Sequence, residues 1–258
     1  MSGLETPSLE TRDLTVRFGG HVAVNAVSCA FQSGTLTAIV GPNGAGKTTY
    51  FNLISGQLAA TSGSVRLAGE DISTLGPDRR TKRGIGRAFQ LTNLFPNLTV
   101  LENVRLAVQA RARDGVDLFS MARSHRDLTE KAQHFVARVA LTARAHLHAA
   151  ALSHGDQRKL EVALMLALEP RVFMFDEPTA GMSVDEVPVI LDLIEAIKRE
   201  GRSTILLVEH KMDVVRRLAD RIIVLHNGTL VADGLPAEVV ALPVVQEAYL
   251  GIRRKDVA

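Results

Sequence analysis

The chain has 258 residues, enough to bury a sizeable core, and its length fits one α/β unit with subdomains better than a string of small independent ones. Thirty basic against twenty-eight acidic residues leave a formal charge of +2, which is too small to argue for nucleic acid or an anionic lipid surface as partner. The single cysteine, Cys29, excludes an internal disulfide and fits a reducing compartment, and its small, apolar neighbours mark it as a buried side chain rather than a reactive thiol.

No apolar run approaches the length of a bilayer crossing, and the N-terminal MSGLETPSLE lacks the basic and apolar regions of a signal peptide, so a protein without a membrane segment of its own is expected. Residues Leu14 to Phe18, the turn Gly19-Gly20 and the stretch Val22 to Phe31 read as a small β region. Phe18 is either a core or edge-strand aromatic or a ring placed to stack on a base; His21 reads as a solvated turn residue. Leu36 to Val40 is a short buried strand and Tyr50 to Ile54 opens a helical pattern. Between them lies Gly41-Pro42-Asn43-Gly44-Ala45-Gly46-Lys47-Thr48-Thr49, which fits G-x-x-x-x-G-K-[ST] without a mismatch. The glycines let the backbone turn its N–H groups inward, and the helix N-terminus adds partial positive charge where a polyphosphate would lie. Lys47 would pair with the outer phosphates, and the Thr48 hydroxyl would meet a magnesium ion bridging them.

Further on, Ser62-Gly63 marks a turn and Ser64 to Leu67 a strand, with Gly69 to Asp71 closing a hairpin or loop. Pro77 to Arg83 is basic and predicts a short exposed helix, followed by a strand from Ile85 to Gln90. Gln90 is a solvated cap or, at the ligand-binding edge of an α/β sheet, a ligand contact. From Leu91 to Ala151 the composition turns helical. Thr99-x-x-Glu102 resembles a capping box opening a helix through Ala110, and a second helix is predicted over Leu128 to Leu141. Arg113 to Arg126 between them reads as a solvated connection, and His134, His146 and His148 show no metal-ligand spacing. Leu152 to Gln157 is turn-rich and precedes a helix from Arg158 to Leu168; its Ser and Asp suit a helix cap, and its polar backbone would equally meet an anion.

Val172 to Phe175 is a continuous apolar run, as expected of a central parallel strand, and it stops at Asp176-Glu177. Adjacent carboxylates at a buried strand tip are costly unless something cationic meets them. In a phosphate-loop protein Asp176 would complete magnesium coordination, and Glu177 would face the attacking water. A helix from Asp185 to Arg199 and a buried strand from Thr204 to Val208 follow. The latter ends in Glu209-His210, where position favours contact of His210 with a terminal phosphate over an unattached imidazole. The chain closes with a helix over Asp213 to Leu218, strands Ile222 to Leu225 and Thr229 to Ala232 about an Asn227-Gly228 turn, and one helix from Pro236 to Tyr249.

In this order the motifs resemble an ATP-binding-cassette ATPase, and more narrowly the ATPase subunits of branched-chain amino-acid importers. The resemblance covers nearly the whole chain: the phosphate loop, GRAFQLTNLFPNLTVLENV, LSHGDQ, VFMFDEPTAGM, LLVEH and AYLG. It implies a phosphate-loop NTPase core of RecA-like type with an N-terminal antiparallel β subdomain and an inserted α-helical subdomain. The corresponding divisions are 1–90 for the β subdomain and first part of the core, 91–157 for the helical insertion, and 158–258 for the rest. It further implies that Phe18 stacks on adenine and that Gln90 senses the γ-phosphate and joins Thr48 and Asp176 about the metal. By the same resemblance Ser153 and Gly155 contact ATP held by an opposite subunit, Glu177 polarises the attacking water and His210 is the switch histidine.

The implied cofactors are ATP and magnesium. The implied partners are two transmembrane permease subunits, a second cassette of the same or a related kind, and indirectly a periplasmic solute-binding protein, with the chain held at the cytoplasmic face of the plasma membrane. An exporter cassette, such as one for lipopolysaccharide, and a non-transport cassette share the core motifs; the latter commonly carry two cassettes or a long coiled coil, which this sequence lacks. Two departures stand out: LSHGD replaces LSGGQ, bringing His154 and Asp156, and Ser183 stands where an aspartate is usual in the segment after the carboxylates.

Overall fold

The computed structural model describes residues 8–88, 94–112 and 121–250. Its centre is set by three strands, β3 (Leu36–Val40), β7 (Val172–Asp176) and β8 (Thr204–Val208), each buried at every position. That pattern belongs to parallel strands covered on both faces. With β6 (Ile85–Ala88), β9 (Arg221–His226) and β10 (Thr229–Gly234) they form a six-stranded sheet ordered β10-β9-β3-β8-β7-β6. Its pairings are parallel apart from the β9–β10 hairpin, whose turn residues Asn227 and Gly228 have φ of 48° and 75°. The central register is tight: Ile39 pairs with Val208, and Val208 with Asp176. Three strand C-termini therefore end at one edge.

A second, antiparallel sheet has the order β2-β1-β4-β5, built from β1 (Leu9–Phe18), β2 (His21–Phe31), β4 (Ser62–Leu67) and β5 (Glu70–Asp71). β1 starts five residues before the predicted Leu14 because Leu9 is paired on both sides, with Phe31 and with Leu67. Helix α1 (Lys47–Ser55) lies between the sheets: its Phe51 and Ile54 share one apolar cluster with Val24 and Phe31 of β2 and with Ile39, Met174 and Leu206 of the parallel sheet.

The other face of the parallel sheet packs, through Phe173 and Phe175, against a helical layer of α3 (Val100–Ala112), α4 (Met121–Arg138), α5 (His154–Ala167) and α6 (Val187–Arg199). The capping box forms as expected, with Thr99 N–H donating to Glu102 Oε2 at 2.8 Å and Glu102 N–H to Thr99 Oγ1 at 3.2 Å. Three helix limits differ from expectation. α4 begins at Met121, inside the stretch read as a solvated connection, and α5 begins at His154 rather than Arg158, so the turn-rich segment is its first turn. After α7 (Met212–Leu218), the expected single terminal helix is two, α8 (Pro236–Ala241) and α9 (Pro243–Leu250), because Pro243 cannot continue the first. Residue 90 and most of the 113–126 connection lie outside the described residues.

Helix α2 (Pro77–Arg83) is where it was predicted, but it is not simply an exposed basic turn. Arg80 is 2% exposed, and its guanidinium donates to the carbonyls of Leu53 and Ile54 at 2.6 and 2.7 Å, of Leu75 at 2.8 Å and of Ser73 at 2.8 Å. It caps the C-terminal end of α1, where carbonyls lack intrahelical partners and cations are favoured. Arg80→Met should lower the free energy of unfolding in urea by about 3 kcal/mol, while Arg79→Met on the exposed side should change it by no more than about 0.5 kcal/mol.

Candidate functional site

Residues 41–49 join β3 to α1 along a path that leaves no room for side chains at two points. At Gly41 (φ 152°) a Cβ would lie 2.1 Å from the Leu225 carbonyl oxygen, and at Gly46 (φ 96°) 2.5 Å from that of Ala23. The loop is pinned from outside as well, since Gly228 N–H of the β9–β10 turn donates to the Ala45 carbonyl at 3.0 Å. Lys47 is buried, and its Nζ donates to the loop's own carbonyls at Gly41 (2.7 Å) and Pro42 (3.0 Å). Burial lowers its pKa, opposed by the facing carboxylates of Glu177 and Asp176. The loop's shape and the position of its cation are thus fixed by contacts within the chain.

The strand tips beside it carry the remaining polar groups. Asp176, at the end of β7, is buried and accepts from Arg87 on β6, NH2 to Oδ2 at 2.6 Å. Burial raises the Asp176 pKa, and the Arg87 charge opposes that rise. Glu177 sits at φ 50°, sparsely populated for a residue with a side chain, held by its N–H to the Val208 carbonyl at 2.9 Å. Its Oε1 is 2.7 Å from His210 Nε2. Glu209 makes that meeting possible: the carboxylate, 2% exposed, accepts from Thr179 Oγ1 at 2.6 Å and from the N–H groups of His210 and Lys211 at 2.8 and 3.2 Å. The tips of β7 and β8 are thereby clamped to each other.

Asn43 to Thr49, Glu177 and His210 line one cavity of about 280 Å³ with Ala23 and His21. His21, expected to be a solvated turn residue, is the first residue of β2 and forms part of this wall. Phe18, opposite it in the hairpin, is 52% exposed and does not line the cavity. A larger cavity of about 650 Å³ runs past Lys82, Arg83, Arg111 and Arg171, but no strand-tip group reaches it, so the chemistry belongs to the smaller one. Thr48 and Asp176 supply hard oxygen donors suited to magnesium. Among the described residues no group of three or more His, Cys, Asp or Glu could hold a metal alone. Two oxygen donors do not complete a magnesium shell, so they fit an ion that takes further ligands from a polyphosphate and water.

Ser153 and Gly155 stand apart from that cavity, at the N-terminus of α5. The Ser153 hydroxyl caps the helix, accepting from Asp156 N–H at 3.2 Å. Gly155 N–H donates to Glu186 Oε1 at 3.1 Å, and Glu186 Oε2 accepts from the N–H and hydroxyl of Ser183 at 3.2 and 3.1 Å. Two of the three unusual residues have local roles: Ser183 anchors this bridging carboxylate, and Asp156 is buried in ion pairs with Lys159 (2.9 Å) and Arg144. The sequence pointed to neither Arg87 nor Glu186, and it marked Glu209 only as a polar residue at a strand end, without its clamping role; its signal was a charge directly after a buried strand.

A family model described as ABC transporter matches residues 24–180. The branched-chain amino acid transport ATP-binding protein BraF of Pseudomonas aeruginosa is 38% identical over 253 residues, covering 96% of this chain and 99% of that protein. The corresponding LivG protein of Escherichia coli is 35% identical, with 96% and 99% covered. Among solved structures, the ADP conformation of MJ1267, an ATP-binding cassette of an ABC transporter, superposes with a TM-score of 0.80 at 29% identity, covering 95% of this chain and 98% of that one.

The loop geometry gives a direct test without ligand. Gly44 has φ 79° and open space around its Cβ position, so Gly44→Ala should cost about 1–2 kcal/mol of stability from backbone strain. Gly46→Ala meets the Ala23 carbonyl in addition, and should cost about 2 kcal/mol more in the same urea titration.

Proposed function

We propose that this chain, which belongs to the ABC transporter family as one of its ATP-hydrolysing subunits, drives a branched-chain amino-acid importer. The observation that carries the importer reading is full-length similarity, 38% and 35%, to ATPases of branched-chain amino-acid transport. The site supports the enzymology. The loop residues 43–49 that line the cavity receive the triphosphate at the N-terminus of α1, and Lys47 exchanges its bonds to the Gly41 and Pro42 carbonyls for the outer phosphates. Thr48, Asp176 and Gln90 would hold magnesium, which when bound would draw off charge developing on the transferred phosphoryl group.

Glu177, held at the cavity wall with its carboxylate toward His210, polarises the attacking water; His210 gives its hydrogen bond to the γ-phosphate and so couples that water to the nucleotide. Phe18 offers an exposed ring to the adenine. Ser153 and Gly155, remote from their own phosphate loop, serve the nucleotide of a second cassette, so that ATP closes a pair and hydrolysis reopens it. Two permease subunits at the cytoplasmic face of the plasma membrane take up that motion, and a solute-binding protein delivers the cargo. Among the described residues no helix is long and apolar enough to cross a membrane.

Glu177→Gln should bind ATP with near wild-type affinity, hydrolyse it at least about a hundredfold more slowly and accumulate as a closed dimer; wild-type turnover removes Glu177 from its role. Lys47→Ala should lose at least about tenfold in ATP affinity by fluorescence titration, and an unchanged affinity contradicts the phosphate assignment. Reconstituted with its permeases and binding protein in liposomes, the chain should support ATP-dependent leucine uptake; a complex that moves another solute and not leucine, isoleucine or valine refutes the importer assignment as stated.

A further inference from the structure

Arg87 is a buried arginine in the wall behind the phosphate site, and the roles above do not use it. Its side chain is 8% exposed and faces Asp176 at 7%. While NH2 holds Asp176 Oδ2, NH1 donates to Asn52 Oδ1 at 2.7 Å, Ser55 Oγ at 3.0 Å and Gln57 Oε1 at 3.0 Å, and the guanidinium lies 5.5 Å from the centre of the Phe51 ring. All of those partners but Asp176 belong to α1 or the turn just after it. The guanidinium is therefore fixed by the helix that starts at the phosphate loop, and its charge is spent on one carboxylate.

We propose that Arg87 is the resident counter-ion of Asp176, a positioning residue that sets how strongly nucleotide binding depends on magnesium. This rests on the reading of Asp176 as the carboxylate that meets the metal. A buried, unpaired carboxylate beside a loop that takes a triphosphate repels it, and low local polarity strengthens the repulsion. With Arg87 in place, the arriving phosphates meet a neutral pair rather than a bare anion. A metal ion would offset the same charge, so the two cations are partly redundant: with the guanidinium gone, neutralisation falls to the metal alone. Lys47, Glu177 and His210 also face this carboxylate, but Lys47 is bonded to the loop, His210 is paired with Glu177, and Glu177 adds charge of the wrong sign.

The test is the affinity of the full chain for a fluorescent ATP analogue, measured with magnesium and with EDTA, and the ratio of the two. Arg87→Met should weaken metal-free binding by about tenfold or more and magnesium-supported binding by no more than about threefold, so the ratio rises. Arg87→Lys, which keeps the charge but not the planar fork, should give an intermediate ratio, and it carries the test should the Met variant not fold. In an Asp176→Asn chain the Arg87→Met change should leave the ratio alone. An unchanged or lowered ratio in Arg87→Met, or equal losses in both conditions, overturns the counter-ion role while leaving Asp176 in place. If Asp176→Asn alone retains the full wild-type magnesium dependence, the metal reading of Asp176 fails first, and the role of Arg87 with it.

Discussion

The parallel register of β3, β8 and β7 is the constraint on which the rest depends. With Ile39, Val208 and Asp176 aligned across three adjacent strands, whatever follows each strand is delivered to the same edge. After β3 comes the phosphate loop, at the end of β7 the two carboxylates, and after β8 Glu209 and His210. Each strand is buried at every position because both faces are covered, and apart from Thr37 and Thr204 the polar groups are held to the C-terminal tips. A slip of one residue in the β7–β8 pair would turn every side chain of one strand to the other face and carry Glu177 away from His210.

A site built this way gathers charge where water is scarce, and the structure answers each charge locally. Lys47 is taken up by two carbonyls, Asp176 by Arg87, Glu209 by a hydroxyl and two N–H groups, Arg80 by four carbonyls at the far end of α1. Helix α1 thus has the ligand loop at one end and a buried guanidinium closing the other. These contacts hold the site's geometry from within the chain, and a site held in that way has less to order when it takes a ligand.

Features set by local chemistry were legible in the sequence. The phosphate loop, the central strands, the capping box at Thr99 and the Asn227-Gly228 hairpin each follow from short-range rules and stand where those rules put them. What escaped depends on distant partners. The first half of β1 was hidden because register shifts near Asp13, itself at φ 46°, break the alternation that marks a half-buried strand. Arg80 and Arg87 look like solvated basic residues until α1 and Asp176 are brought against them from 26 to 89 positions away. Glu186 gives no sign that it will reach Gly155, since that contact joins two helix beginnings set side by side by the helical layer.

Larger cavities of about 650 and 490 Å³ compete by size with the one at the phosphate loop, but Glu177 and His210 converge only on the latter. Hydrogen–deuterium exchange of the purified chain with and without magnesium and ATP distinguishes them directly. Slowed exchange in peptides spanning residues 41–49, 175–178 and 207–211 is the predicted result; slowing over residues 78–84 and 168–171 with an unchanged phosphate loop would contradict it.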